Sequence, residues 1–216
     1  MKKQIGLLFD FDGVILYSEP VHRRAWEDMA GCFNEIMPEN FIEDNIGQTD
    51  EYLAKKLSIL WNNKYSHEEI VLTKRAKYIL RAKKECKPIS GVLEFLKKAS
   101  VEFPLALCTN SSIHDIKDDV KKYRLDSFFT QILTSESVEK PKPDPEIYIL
   151  AAEKLSVPIK NCWIFEDSVL GVTSARASGG KTVGITTSYS KKELSPVVAS
   201  FPDFLDFTSI WNLINN

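Results

Sequence analysis

Short apolar runs alternate with longer amphipathic stretches along much of the chain. Five of the apolar runs are typical of buried strands: residues 4–10 (QIGLLFD), 104–109 (PLALCT), 131–134 (QILT), 162–166 (CWIFE) and 181–185 (KTVGI). Between them, the segments that begin at residue 91 (GVLEFLKKAS) and residue 145 (PEIYILAAEKLS) have helical spacing of their apolar positions. Continuously apolar strands that alternate with helices predict an α/β fold, with a parallel sheet covered by helices on both faces.

Residues 16–88 break this alternation. They contain no convincing strand and hold three segments of helical character, VHRRAWEDMAGCF, TDEYLAKKLSILW and SHEEIVLTKRAKYILRAKK. Ligands of open α/β sheets bind beyond the carboxyl ends of the strands, so an insert just after the first strand would cover such a site. We therefore predict an α/β core formed by residues 1–15 and 89–216, with a helical cap domain at residues 16–88.

Composition and charge narrow the class of protein. The chain has 216 residues, of which 44% are hydrophobic and 27% charged, as in an ordinary globular protein. A formal net charge of −2 gives no electrostatic reason to expect nucleic acid or an anionic membrane as a partner. Four cysteines without a C-x-x-C pair indicate reduced thiols, and no apolar run has the length of a membrane span. We expect a cytoplasmic protein.

The first predicted strand ends in two carboxylates, Asp10 and Asp12, followed by Gly13. In a strand, residues i and i+2 point to the same side, so the two carboxylates should face the same space at the edge of the sheet. Aspartate is also common in turns, and a turn-capping pair is the alternative for this segment taken alone.

The second predicted strand ends at Thr109 and is followed by Asn110 and Ser111. Small hydroxyl and amide side chains, together with free backbone N–H groups at a strand–helix junction, suit a phosphate. A plain helix N-cap formed by Ser111 or Ser112 is the alternative.

Two further segments carry charged candidates. Lys140 lies in EKPKPDPEIY, where three prolines stiffen the backbone and can fix the direction of a lysine; a solvated lysine is the alternative. Glu166 ends the fourth predicted strand and Asp167 follows it; N-capping by Asp167 or Ser168 is the alternative. Considered together, carboxylates at strand ends favour Mg²⁺ with a substrate phosphate, and a lysine offsets phosphoryl charge. The pattern predicts a phosphoryl-transfer site.

The chain resembles the haloacid dehalogenase superfamily, in the branch with a helical cap that includes β-phosphoglucomutase and many sugar-phosphate phosphatases. Four motifs of that family occur in order, as residues 10–14 (DFDGV), 109–110 (TN), 140–144 (KPKPD) and 166–168 (EDS) with Gly171. The resemblance implies a Rossmann-like three-layer α/β/α core with an inserted α-helical cap.

The same resemblance implies roles for individual residues. Asp10 is the nucleophile that forms an aspartyl-phosphate, and Asp12 is the general acid and then the general base. The Mg²⁺ ligands are the carboxylates of Asp10 and Asp167 and the backbone carbonyl of Asp12, with Glu166 holding a metal-bound water. The groups that hold the phosphate are Thr109, the backbone of Asn110, and Lys140, beside the hydroxyl of Ser111.

The sequence of the cap says less about the substrate than the motifs of the core say about the reaction. His22 and Trp26 match positions that β-phosphoglucomutase uses near the hinge and the sugar; alternatively, His22 is an exposed helix residue and Trp26 belongs to the cap core. Asp50 follows Gly47, Gln48 and Thr49, where the mutase carries an arginine that grips the distal phosphate. Loss of a bidentate guanidinium argues against a mutase.

We therefore predict a Mg²⁺-dependent phosphatase of a small phosphorylated metabolite, with sugar phosphates as the preferred class. A hexose-phosphate mutase is the alternative, in which a lysine or arginine of residues 74–77 replaces the missing arginine. A phospho-accepting signalling domain of the receiver type is a remote alternative. We expect a monomer or a weak dimer.

Overall fold

The computed structural model describes residues 4–215, and within them six parallel strands form one sheet in the order β3-β2-β1-β4-β5-β6. The strands are β1 (Gly6–Phe9), β2 (Leu105–Cys108), β3 (Gln131–Leu133), β4 (Cys162–Glu166), β5 (Lys181–Ile185) and β6 (Ala199–Phe201). The chain leaves the central strand β1 towards one edge and returns to build the other half from β4. The strand order therefore reverses beside β1, where open α/β sheets bind their ligands.

The five predicted runs all form strands. Leu8 of β1 lies beside Ala106 of β2 and Ile164 of β4, and all three residues are completely buried. The short edge strand β6 was not predicted, because its three half-buried residues form no apolar run.

Helices cover both faces of the sheet. The core helices of the described chain are α4 (Val92–Glu102), which precedes β2, and α5 (Ile113–Lys122), α6 (Glu146–Lys154), α7 (Val169–Ser178) and α8 (Phe207–Asn215), which come after β2. On one face Phe9 packs against Phe95 of α4, and on the other Leu8 packs in a cluster with Tyr148 of α6. Alternate residues of β1 thus enter opposite layers, which confirms the three-layer core.

The insert between β1 and β2 is helical, as predicted. It consists of α1 (Glu19–Cys32), α2 (Asp50–Leu60) and α3 (His67–Glu85), which share a separate apolar cluster that includes Trp26, Leu57 and Ile70. The two connections to the core meet where the backbone N–H of Tyr17 donates to the carbonyl of Lys87 at 2.8 Å. The boundaries of the cap domain at residues 16 and 88 stay a prediction.

The helices of residues 4–215 include none whose length and apolar character would suit a membrane crossing.

Candidate active site

The turn after β1 brings two acidic segments together. The backbone N–H of Asp10 donates to the carbonyl of Phe165 at 3.0 Å, which ties the end of β1 to β4. Gly13 has φ +71°, and a Cβ at this position would lie 1.8 Å from Oδ2 of Asp167. A glycine is therefore required both by the backbone conformation and by the close approach of Asp167.

Three carboxylates meet at this point. Asp10, Glu166 and Asp167 are buried and present ligand oxygens that all lie within 4.8 Å of one another. Burial raises the pKa of the Asp10 carboxyl well above its usual range, with Glu166 adding to the effect. Burial likewise raises the pKa of Asp167, and the nearby Asp10 adds to it. Such a crowded set of hard oxygen donors is short of positive charge, and it fits a divalent cation such as Mg²⁺.

The lysine of the site is Lys142, so the prediction of Lys140 is wrong. Nζ of Lys142 donates to Oδ1 of Asp10 at 2.6 Å, to Oε1 of Glu166 at 2.7 Å and to the carbonyl of Cys108 at 2.9 Å. Its side chain is 3% exposed, whereas that of Lys140 is exposed to solvent. The carboxylates of Asp10 and Glu166 raise the pKa of the Lys142 ammonium against the opposing effect of burial.

The backbone of the proline-rich loop determines which lysine turns inward. The side-chain oxygen of Asn110 accepts the backbone N–H of Lys142 at 3.0 Å, and its amide donates to the Lys142 carbonyl at 3.2 Å. Two residues earlier, the backbone N–H of Lys140 donates instead to Glu146 at the start of α6, at 2.9 Å. Asn110 therefore clamps the second lysine of the KPKP segment against the site.

Asp12 lies in a different environment from Asp10. Its carboxylate accepts hydrogen bonds from Oγ of Ser18 at 2.5 Å, Oγ of Ser111 at 2.6 Å and Nε2 of His22 at 3.2 Å. Burial opposes ionisation, but the hydrogen bonds and His22 outweigh it and hold the pKa of Asp12 well below its usual range. Among the described residues, the three-carboxylate group does not include the Asp12 side chain, so its predicted metal contact rests on its backbone carbonyl.

The structure places His22 in the site, as a link between cap and core. Nζ of Lys74 contacts Nδ1 of His22 at 2.8 Å, and the imidazole stacks on Tyr78 with ring centroids 4.0 Å apart. An ammonium group can only donate, so Nδ1 accepts and Nε2 carries the proton given to Asp12. Lys74 also donates to both carboxylate oxygens of Asp50, at 2.7 Å each.

A pocket between the cap and the core is lined by the carboxylates Asp10, Asp12 and Asp167 and, beside them, by Thr109, Asn110 and Ser111. Oγ1 of Thr109 accepts the backbone N–H of Ser111 at 2.9 Å. The amide of Asn110 donates to the carbonyl of Gly47 in the cap at 2.9 Å. The Ser111 hydroxyl holds Asp12, so its side chain positions the acid–base candidate. Contact of these residues with a phosphate stays a prediction.

Trp26 lies in the apolar core of the cap and also faces the pocket, which are the two alternatives that the sequence left open. Its side chain is 2% exposed within the apolar cluster of the cap, and it also lines the pocket. Sequence reasoning did not identify Lys74 as a buried residue, because its partners His22 and Asp50 lie on two other helices of the cap. The spacing of charges within α3 carries no signal for such a contact.

Strand order, insertion point and strand-end carboxylates together define a parallel α/β core with a helical cap inserted after its first strand. The chain belongs to the haloacid dehalogenase-like hydrolases, whose family model matches residues 7–185. This confirms the resemblance drawn from the four motifs.

Relatives and solved structures agree with this assignment. The phosphorylated carbohydrates phosphatase of Thermotoga maritima is 28% identical over 182 residues, which cover 81% of this chain and 81% of the relative. The fructose-1-phosphate phosphatase YqaB of Escherichia coli is 25% identical over 186 residues, covering 85% of this chain and 97% of the relative. The crystal structure of β-phosphoglucomutase from Clostridium difficile matches with a TM-score of 0.84 at 20% identity, covering 98% of this chain and 97% of that one. At that identity the match shows a shared fold.

Proposed function

We propose that this protein is a Mg²⁺-dependent phosphatase that hydrolyses a small phosphorylated metabolite, with sugar phosphates as the preferred class, through an aspartyl-phosphate on Asp10. The observation that carries the proposal is the contrast between two neighbouring aspartates. Asp10 is bound to an ammonium group inside a buried carboxylate cluster, whereas Asp12 is held by two hydroxyls and an imidazole. Two carboxylates with different surroundings can take different roles in one reaction.

Asp10 is suited to the role of nucleophile. Lys142 holds Oδ1 at 2.6 Å, which fixes the direction of the carboxylate at the carboxyl end of β1. A carboxylate that attacks phosphorus forms an acyl phosphate and divides the hydrolysis into two steps. Lys142 would also offset the negative charge of the bound phosphoryl group.

Asp12 is suited to moving a proton between the leaving oxygen and water. It would protonate the leaving oxygen of the ester and then accept a proton from the water that attacks the aspartyl-phosphate. Its low pKa keeps it in the carboxylate form with which the second step starts, and the first step requires that Asp12 be protonated when the ester is bound. Ser18, Ser111 and His22 hold the group in one orientation for both steps.

Asp10, Glu166 and Asp167 are the residues that would hold Mg²⁺. When bound, the ion would supply positive charge between the nucleophile and the phosphoryl oxygens, which lowers their mutual repulsion. Position 171 requires a glycine if the Glu166 carboxyl is to keep its place among the three carboxylates, because a Cβ there would lie 2.0 Å from its oxygens.

The named activities of two relatives support a sugar phosphate as the preferred class, since they act on phosphorylated carbohydrates and on fructose 1-phosphate. The mutase alternative requires a cation for a second phosphate, and the residue at the expected place is Asp50. A receiver-type domain would need no helical cap. Cytoplasmic localisation and a monomeric or weakly dimeric state remain expectations of the sequence.

A screen of phosphorylated metabolites with Mg²⁺ tests the proposal. We expect release of inorganic phosphate that is abolished by a chelator and by Asp10→Asn, because an amide cannot attack phosphorus. Isomerised sugar phosphate is measured separately. Conversion of β-glucose 1-phosphate to glucose 6-phosphate with little free phosphate would instead support the mutase.

A further inference from the structure

The part of the pocket wall formed by α1, α2 and α5 is acidic. Four carboxylate side chains outside the Asp10, Asp12 and Asp167 group line it: Glu19, Asp50, Glu51 and Asp115. Among the lining residues of the described chain, Lys142 is the one lysine or arginine, and its ammonium group is bound to Asp10. A second anionic group on a substrate would therefore meet negative charge at this wall.

Two cations that contact this wall, Lys74 and Arg75, already have partners. Lys74 is fully buried, and its three N–H groups are used by the two oxygens of Asp50, at 2.7 Å each, and by Nδ1 of His22 at 2.8 Å. Nε of Arg75 donates to Oδ1 of Asp115 at 2.9 Å. An ammonium group has three donors and no acceptor, so Lys74 has none left for a substrate.

Asp50 lies between Lys74 and the pocket. Asp50 lines the pocket, whereas the Lys74 side chain is 0% exposed and rests against aromatic rings, 5.4 Å from the ring centre of Trp26 and 5.1 Å from that of Tyr78. These cation–π contacts fix the ammonium behind the carboxylate. The pocket therefore presents the carboxylate oxygens of Asp50 to a substrate, whereas the Lys74 ammonium that binds them lies outside the pocket lining.

We propose that Asp50 determines substrate specificity: it rejects phosphate esters whose leaving group carries a second anion and accepts esters whose leaving group carries neutral hydroxyls. The inference rests on the proposed phosphatase function. Hydroxyl groups donate hydrogen bonds to a carboxylate, whereas a carboxylate or phosphate facing Asp50 is repelled and has no donor to offer. Discrimination of this kind acts by disfavouring the wrong ligand.

Two matched pairs of compounds isolate this effect. Glucitol 6-phosphate and 6-phosphogluconate differ by a CH₂OH group in place of a carboxylate at the far end, and glycerol 3-phosphate and 3-phosphoglycerate differ in the same way. Each is measured as a competitor of p-nitrophenyl phosphate hydrolysis, so that its own turnover is not required. We expect the Ki of each acid to exceed that of its alcohol about tenfold or more, as like-charge repulsion in a binding site implies. Equal Ki values, or tighter binding of the acids, would overturn the proposal.

Variants test whether Asp50 causes the difference in Ki between each acid and its alcohol. Asp50→Asn should bring the Ki ratio close to one, because the charge of Lys74 is then uncovered. The double change of Asp50→Asn with Lys74→Met removes both charges and should also reduce the ratio, which covers the case in which the single variant fails to fold. Asp28→Asn is the matched control, because Asp28 pairs with Arg81 at 2.7 Å and lies outside the pocket lining. The control should keep the wild-type ratio.

The proposed phosphatase function and the role of Asp50 can be refuted separately. Absence of phosphate release from p-nitrophenyl phosphate by the wild-type protein would refute the proposed function and, with it, the role of Asp50. Normal phosphate release with a Ki ratio near one would refute only the role of Asp50. A wild-type ratio that persists in a folded Asp50→Asn variant would do the same.

Discussion

Replacement of Lys142 by methionine removes the ammonium group that joins Asp10 to Glu166. The methionine preserves most of the apolar length of the side chain, so the main change is the loss of a buried charge and three hydrogen bonds. Removal of one partner of a buried ion pair costs about 3–5 kcal/mol, because the other partner remains buried without compensation. A domain is stable by only about 5–15 kcal/mol, so the loss would be large.

The pH dependence of this loss has a defined sign. Without Lys142, the carboxyl of Asp10 has a still higher pKa in the folded state than in the unfolded state. The folded state is then favoured by protonation, and its stability falls as the pH rises. We expect the deficit of Lys142→Met against wild type to be larger at pH 8 than at pH 5.

Urea denaturation in the presence of a chelator measures the loss of stability and its dependence on pH. Lys140→Met is the matched control, because the Lys140 side chain is exposed, and its free energy of unfolding should change by less than about 0.5 kcal/mol. Wild-type stability of Lys142→Met, together with a loss in Lys140→Met, would refute the assignment of the buried lysine.

Three further predictions follow from the same contacts. Asp12→Ala should lower the steady-state rate of phosphate release by about 10²–10⁴-fold, the usual contribution of a general acid–base group; an unchanged rate would make Asp12 a turn residue. Burial raises the pKa of Asp119 from its ordinary value of 3.8 to about 6, so wild type loses stability as the pH rises through this interval. Asp119→Asn should therefore be more stable than wild type above pH 6, by roughly 1–3 kcal/mol in urea denaturation, with little difference at pH 3; equal stability at pH 8 would contradict this. Gly171→Ala should reduce calorimetric Mg²⁺ affinity, because the methyl group would displace the carboxyl of Glu166; wild-type affinity would show that the loop can adjust.

The functional residues at the strand ends could be predicted because each lies next to an apolar run in the sequence. The carboxylates of Asp10 and Glu166 directly follow continuous apolar runs, and parallel strands bring their carboxyl ends to one edge of the sheet. The edge strand β6 lacks such a run, so no local signal distinguished it from a loop.

The choice of lysine and the contacts of the cap depend on tertiary structure. Lys140 and Lys142 have the same local surroundings of prolines, and only the contact of Asn110 with the Lys142 backbone distinguishes them. The buried ammonium of Lys74 binds Asp50 and His22, which lie on two other helices, and nothing in the spacing of α3 indicates these contacts.

Peptide mass spectrometry of acid-quenched enzyme tests the central claim most directly. The protein is mixed with p-nitrophenyl phosphate and Mg²⁺, quenched in acid during turnover and digested, with Asp12→Ala as a variant in which slower hydrolysis should allow the intermediate to accumulate. The account predicts that the peptide containing Asp10 gains the mass of one phosphoryl group, more strongly in Asp12→Ala and not at all in Asp10→Asn. Phosphate release at the wild-type rate with no modified Asp10 peptide, or with the phosphoryl group on another residue, would contradict it.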